Sequence, residues 1–484
     1  MASDDSPCPP LPSEVYLREY EQDGGLPIDK IGGTPDVRRK WFRDNRAELR
    51  TFSRDGDAFV GPSHYVGVIP FTCSINPQCP GHLLVSLPKG TPRDPSDASD
   101  VTESLVRFLD LLALSSGLAA RPLSDDVGFT GVRGTGDKVL LLLAAHYAAL
   151  LEELCLRDFR RYYRHEEGSL RGRVRGRVHL SGHLRSIAGG RAHAIPCRWD
   201  EFTPDNWDNR ILDSAARSLT AHSGRLDAAG RTMVRRLFLP TEPYFAAVNR
   251  DVPVFPWDLH RARLGRVSVR YRRALAWASM VIRGLGGVAA GGSALKVAID
   301  ANEVFESFAR VVVSKAVAEL HTGWVVPAKA SIAGLLDTGD PRIEPDIMIK
   351  DGAGLTVAVG DAKYKQVMEL LDLNGGEARF DRVARQRIGA SDLYQLYCYM
   401  RLTQTSNGFF VVPYWDSADN EPAARLLTDR WFRLGPVDAA DAGPHRPLAV
   451  LGLNMMKPPV AAAREGQREL TSWLRRCGSA AALN

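Results

Sequence analysis

Residues 342–365 read RIEPDIMIKDGAGLTVAVGDAKYK, and the fold is decided by how this stretch pairs with itself. Ile347 to Lys350 and residues 355–361 are apolar, β-branched runs, and Asp351, Gly352, Ala353 and Gly354 between them form a turn cluster containing Asp-Gly. That pattern predicts a β-hairpin. Folding the chain about residue 353 brings Asp346 opposite position 360, within one residue of Asp361, so two carboxylates distant in sequence come to lie side by side. Residues two apart share a strand face, so Val357, Val359, Asp361 and Lys363 point one way, and Thr356, Ala358, Gly360 and Ala362 the other. The small-residue face is expected to pack closely against a helix.

Two adjacent carboxylates with a backbone carbonyl, that of Ala362, suit Mg²⁺ (or Mn²⁺), which takes oxygen ligands and keeps several waters. Such an ion acidifies bound water and polarises a phosphoryl group, the chemistry of phosphodiester hydrolysis. Lys363 adds a compact positive charge, for which a guanidinium is not an equivalent replacement. Standing against this is a plain surface hairpin carrying ordinary charges. Upstream, residues 302–320 (NEVFESFARVVVSKAVAEL) place Val304, Phe305, Phe308, Val311 and Val312 on a helical stripe with Glu303 and Glu306 on its flank. Downstream, Ser391 is the expected cap of a helix whose core stripe is Leu393, Leu396, Tyr397 and Met400. Gln395 and Tyr399, four residues apart, form a second stripe able to hydrogen-bond substrate phosphate or orient the site.

A helix Glu, a Pro-Asp (Pro345-Asp346), an Asp-x-Lys (Asp361 to Lys363) and a Gln-x-x-x-Tyr (Gln395 to Tyr399), in this order, resemble the PD-(D/E)XK nuclease superfamily, in particular its RecB-like members. The chain is also similar to McrC, the nuclease subunit of modification-dependent restriction systems. Four stretches carry that likeness: LRGRVRGRVH at 170–179 with CRWDEFTPDNWDNRIL at 197–212, RYRRALAWASMVI at 270–282, VFESFA at 304–309, and the run from 345 to 399. The resemblance implies metal residues Asp346, Asp361 and Glu306, the last preferred over Glu303 because it follows Phe305 in the Phe-Glu pair, with Lys363, Gln395 and Tyr399 completing the catalytic set. It further implies a Mg²⁺-dependent DNA endonuclease subunit working in a hetero-oligomer with a McrB-like AAA+ GTPase ring. A stand-alone RecB-like nuclease and a catalytically silent DNA-binding or scaffold subunit are the alternatives.

The remaining sequence bounds these readings. At 484 residues with 44% hydrophobic and 25% charged composition, the chain is that of an ordinary folded protein with two or three cores. A net charge of +5 permits DNA binding without requiring it. Arg157, Arg160, Arg161 and Arg164, then Arg171, Arg173, Arg175 and Arg177, with Tyr162 and Tyr163 interleaved, make a basic stretch that reads either as a phosphate-tracking surface or as the solvated faces of an Arg-rich chain, the alternating arginines from 171 to 177 being the outer side of one strand. No G-x-x-x-x-G-K-[ST] is present, and the pairs Gly286-Gly287 and Gly291-Gly292 lack the following Lys-Ser/Thr, so no nucleotide is expected on this chain and any nucleotide motor is another chain. Seven dispersed cysteines, of which only Cys73 and Cys79 lie close, point to reduced thiols in a cytoplasm. His179 and His183, in a strand and turn, read as surface residues. The apolar run 139–151 is too short to span a bilayer and the N-terminus lacks a signal pattern, so no membrane association is expected.

The expected fold class is mixed α/β: a flexible tail at 1–12, a β-rich partner-docking domain at 13–130, a helical and mixed connecting domain at 131–290, and a PD-(D/E)XK nuclease domain with a central mixed sheet flanked by helices at 291–484. Within the last, residues 366–389 form a charged insertion whose Arg382, Arg385 and Arg387 are placed to close over DNA.

Overall fold

The computed structural model describes residues 14–18, 26–28, 31, 35–45, 49–54, 57–71, 82–89, 91, 98–115, 135–262, 268–285, 297–327, 331–332, 343–364, 388–415, 421–427, 433–434 and 446–481. The expectations for the tail at 1–12, Cys73 and Cys79, the two glycine pairs and the arginines of the 366–389 insertion lie outside them. The architecture is mixed α/β, in two compact units: residues 1–128 with 298–484, and residues 129–297. The first and last stretches of the chain, expected as separate domains, thus share one unit.

In that first unit the front segment contains β1 (Glu14–Arg18), β2 (Leu26–Pro27), α1 (Pro35–Asp44), β3 (Leu49–Arg54), β4 (Asp57–Pro62), β5 (Tyr65–Phe71), β6 (His82–Leu87) and α2 (Ala98–Ser115). Leu17, Leu26, Ile31, Leu49, Val60, Ile69 and Leu84 form its core. β5 and β6 pair antiparallel, β1 joins β6 in parallel, and the sheet order is β1, β6, β5 and then a strand from much later in the chain, Val297–Asp300.

The second unit opens with α3 (Thr135–Asp158), followed by β7 (Tyr162–Arg171), β8 (Arg177–Val178), α4 (Leu180–Ala188), β9 (Ala194–Thr203), α5 (Trp207–His222), α6 (Ala228–Phe238), α7 (Glu242–Phe245) and α8 (Val269–Leu285). β9 lies between β7 and β8. The α3 helix is 24 residues long, which overturns the argument that the apolar run is too short to span a bilayer. Its apolar window is instead mostly buried within the protein, the behaviour of a core helix. The alternating arginines are not one strand either. β7 stops at Arg171, and Gly172 and Gly176 take φ of +64° and +65°, turning the chain before Arg177 re-enters the sheet. His183 sits in the first turn of α4, not in a strand or turn of its own.

The first unit resumes with β10, the Val297–Asp300 strand just mentioned, and α9 (Ala301–Glu319). Asp300 caps α9, its carboxylate accepting from the amides of Asn302 (2.9 Å) and Glu303 (3.3 Å), and its other oxygen lies 3.3 Å from His64 Nε2. Thereafter come β11 (Ile347–Lys350), β12 (Thr356–Ala362), α10 (Ala390–Leu402), β13 (Gly408–Tyr414), β14 (Ala424–Leu427), β15 (Arg433–Leu434), β16 (Arg446–Pro447), β17 (Ala449–Asn454) and α11 (Pro459–Ala481). The five-stranded sheet runs β11, β12, β13, β17, β14, with β12, β13 and β17 parallel and the two edges antiparallel. β13, GFFVVPY, is buried at every position, as a central strand covered on both faces must be.

The hairpin forms, one residue off the register that folding about residue 353 gives: Ile347 rather than Asp346 stands opposite Gly360, and Met348 opposite Val359, until a bulge sets Lys350 opposite Thr356. Asp351 shapes the turn, its carboxylate accepting from the amides of Ala353 and Leu355, both at 2.9 Å. Leu355 therefore belongs to the turn and is exposed. Gly354 at φ +86° takes a conformation that a side chain would strain. On the small-residue face of β12 the space over Gly360 is filled by the ring of Phe409, which packs edge-on against Trp473 of α11. A Cβ on Gly360 would stand 2.3 Å from that ring, so Gly360→Ala is expected to cost on the order of 3 kcal/mol by overpacking, measurable by denaturant unfolding.

Candidate functional site

The site is assembled at the carboxyl end of β12. Continuing the register one step beyond Ile347 and Gly360 sets Asp346 opposite Asp361, and the Asp346 carboxylate accepts the amide of Ala362 at 3.0 Å. In a strand the N–H and C=O of one residue face the same edge, so the Ala362 carbonyl shares the edge that Asp346 occupies. Asp346 is itself held from behind: its carbonyl accepts from Arg310 Nε (3.2 Å) and Nη2 (3.0 Å) of α9. Arg310 was not singled out from the sequence, although it lies four residues after Glu306 and so on the same helical face.

Asp361 is only 1% exposed, and neither carboxylate oxygen has a hydrogen-bond partner of good geometry within the protein. The facing positive charge is Lys363 Nζ, 2.9 Å from Oδ2. Burial raises the Asp361 pKa well above the usual carboxylate range; Lys363 opposes that shift and Asp346 adds to it. Lys363 loses hydration too, yet the Asp361 charge outweighs the burial and keeps its ammonium more firmly protonated than usual. The ammonium also donates to Gln395 Oε1 at 3.1 Å, and Gln395 Nε2 donates to Tyr399 Oη at 2.6 Å. A continuous polar chain thus links Asp361, Lys363, Gln395 and Tyr399.

The helix that carries Gln395 and Tyr399 starts two residues earlier than a Ser391 cap would set it. Gly389 is the cap position, its amide donating to Asp392 Oδ2 at 3.0 Å, and Ser391 is an exposed first-turn residue. Tyr399 belongs to the core cluster with Val359, Leu396, Met400 and Phe410, with only 6% exposure, whereas Tyr397 is half-buried. Burial accordingly raises the Tyr399 pKa and keeps it a neutral hydrogen-bonding group.

On α9, Glu306 is half-buried and Glu303 exposed. Val313 is buried where Val311 was expected to be; Val311 is half-buried. Burial, then the charge of Asp346, pushes the Glu306 pKa up to about 7. Of the two glutamates, Glu306 is the one that senses the site. Among the described residues, however, no three His, Cys, Asp or Glu side chains converge into a ready metal cage. What the structure offers a cation is two neighbouring carboxylates, one of them buried with the Lys363 ammonium against one of its oxygens, beside a strand-edge carbonyl. That all-oxygen, incomplete donor set fits Mg²⁺, which retains waters, better than a metal that demands a closed shell.

Protonated Asp361 and asparagine are nearly isosteric, which gives a test by linkage. A carboxyl whose folded pKa is raised costs nothing at pH below its ordinary value of 3.8, where both states are protonated; stability then falls as pH rises towards the folded pKa and stays low above it. In EDTA, Asp361→Asn is therefore expected to stabilise the protein by roughly 1–3 kcal/mol at pH 8 and by almost nothing at pH 4. Thermal melts of both proteins at the two pH values check this.

In the second unit part of the basic stretch, and Arg198 on the strand beside it, is paired with acids. Arg164 pairs with Glu166 and Asp205, Arg198 lies 2.7 Å from Glu167, and Arg175 lies 3.7 Å from Glu201. Tyr163, 73% exposed, pairs across strands with Phe202.

Comparison with known proteins gives the family of the chain. Residues 63–413 match the family model described as McrBC 5-methylcytosine restriction system component. A chain of the refined half-complex from a tetradecameric assembly of Thermococcus gammatolerans McrB AAA+ hexamers with bound McrC is similar over 95% of this chain and 99% of that one, at 16% identity and a TM-score of 0.52. A chain of the cryo-EM structure of the Thermococcus gammatolerans McrBC complex matches 63% of this chain and 88% of that one, at 17% identity and a TM-score of 0.40. No match is found among curated proteins. With the family match extending over most of its length, the chain belongs to the McrBC 5-methylcytosine restriction system component family.

Proposed function

We propose that this chain is the Mg²⁺-dependent DNA endonuclease subunit of a McrBC-like defence complex, with a PD-(D/E)XK type site at the end of β12. The observation that carries the reading is the buried Asp361 carboxylate, unpartnered except for the Lys363 charge, standing beside Asp346 through the hairpin register. A protein without use for such a group would neutralise or hydrogen-bond it, because a buried unsatisfied carboxylate is costly.

Asp346, Asp361 and the Ala362 carbonyl would hold the ion, and Glu306 would act on its water shell. When bound, Mg²⁺ supplies Lewis acidity towards the phosphoryl oxygen and lowers the pKa of coordinated water. Lys363, fixed between Asp361 and Gln395, presents its ammonium to the attacking water or to the developing negative charge. Gln395, itself steadied by the buried Tyr399, orients that ammonium. Arg310 fixes the Asp346 backbone so that both carboxylates keep their spacing.

The partner proposed is a McrB-like AAA+ GTPase ring. The family description and the presence of McrB AAA+ hexamers with bound McrC in the similar structure support it. The test is plasmid cleavage in Mg²⁺ by the full chain alone and with its AAA+ partner and GTP. Cleavage only with the partner is the expected result. Lys363-dependent cleavage by the chain alone would replace the proposal with an autonomous nuclease.

A further inference from the structure

The second unit contains a cavity of about 400 Å³ between α5, α6, α7 and the segment after α7. Four arginines line it: Arg217, Arg231, Arg235 and Arg250, against two acids, Asp213 and Glu242. Asp213 is 95% buried and is consumed by two of the arginines. Its Oδ2 accepts from Arg217 Nε at 2.8 Å and from Arg250 Nε at 3.2 Å, and its Oδ1 accepts from Arg250 Nη2 at 2.9 Å. The single buried acid therefore fixes two guanidiniums in place and leaves most of their donors unspent, since each guanidinium has five.

Arg231 donates Nη1 to the Leu226 carbonyl at 2.8 Å, and Arg235 has no hydrogen bond or ion pair among the described residues. Thr220, Ser223 and Thr241, also in the wall, donate their hydroxyls to backbone carbonyls and so offer only lone pairs. The cavity is thus rich in fixed and idle cationic donors and carries an excess of two positive charges. An excess of fixed, planar donors is the recognition chemistry of phosphate groups. Phe238 and Phe245, both buried, add an apolar floor. Nothing in the candidate site of the first unit requires this cavity.

We propose that the cavity is a phosphate-ester site, filled either by the phosphates of a DNA strand or by those of a free nucleotide. The strand alternative rests on the DNA reading above; the cavity chemistry does not. The test uses the full chain in EDTA, so that binding is read without cleavage. Titrations use a fluorescent single-stranded oligodeoxynucleotide, a mononucleoside triphosphate and inorganic pyrophosphate, for wild type, Arg217→Gln and Arg235→Gln. Arg235 is exposed and makes no hydrogen bond or ion pair among the described residues, so its variant is expected to keep the fold even if Arg217→Gln does not. The expected result is that each variant weakens binding on the order of tenfold and lowers the dependence of log affinity on log salt by about one contact. Loss confined to the oligonucleotide assigns the strand as source, and loss confined to the triphosphate and pyrophosphate assigns a nucleotide. Equal affinity and equal salt slope for wild type and both variants on all three probes overturns the proposal. That outcome leaves the endonuclease reading untouched, since cleavage by the assembled complex is measured separately.

Discussion

Replacing Lys363 with Ala is expected to slow DNA cleavage by the assembled complex on the order of 10³-fold while leaving its assembly unchanged. The ammonium stands 2.9 Å from Asp361 and 3.1 Å from Gln395, so its position is fixed before any substrate arrives, and a preorganised charge is what makes an electrostatic contribution large. Lys363→Arg is expected to recover little of that rate. The planar guanidinium is larger and cannot occupy the point between one carboxylate oxygen and one amide oxygen that the ammonium fills. Gel-based cleavage rates under single-turnover conditions, beside a sizing measurement of the complex, separate loss of chemistry from loss of assembly. A Lys363→Arg complex as fast as wild type would mean that charge alone suffices and that the fork between Asp361 and Gln395 is incidental.

Asp361→Asn is expected to lower cleavage by at least about 10³-fold, an effect of the same order. Asparagine keeps the size and one oxygen of the side chain but removes the negative charge that would bind a divalent ion. Because the carboxylate is buried and costly when metal-free, the same substitution is expected to stabilise the protein at pH 8. Loss of activity accompanied by gain of stability is the mark of a group retained for chemistry at the expense of folding, and a structural aspartate would give loss of both. The two readouts therefore test the assignment together.

Much of this site was legible because hairpin register is local arithmetic. The Asp-Gly turn and the period-two runs suffice to bring Asp346 within one residue of Asp361, the register itself being set by the bulge at Lys350, and the parity of the strand suffices to send Lys363 the same way as Asp361. The Gln395 and Tyr399 pair followed from helical spacing, since their contact is between neighbours on one turn. What sequence could not supply were contacts made across the fold. Whether Phe409 or a helix would fill the space over Gly360 depends on how β13 sits beside β12, and neither segment specifies that alone. The choice between Glu303 and Glu306 needed the rotation of α9, which is set by its cap at Asp300 and by the burial of Phe305 and Phe308. Arg310 escaped notice for the same reason: its target is a backbone carbonyl, and carbonyls leave no mark in sequence. The front and last stretches sharing one unit is likewise invisible to a reading that proceeds along the chain. β10 completes a sheet begun more than 200 residues earlier.

On the proposed reading, Asp346 and Asp361 are there for a divalent cation. The most direct test of that reading is the cleavage rate of the assembled complex as Mg²⁺ is titrated from EDTA upward, for wild type beside Asp346→Asn and Asp361→Asn. A wild-type rate that is nil in EDTA and saturates with Mg²⁺, against variants that stay inactive at every concentration, is the result predicted. Cleavage that persists in EDTA, or variants that follow the wild-type curve, would contradict it.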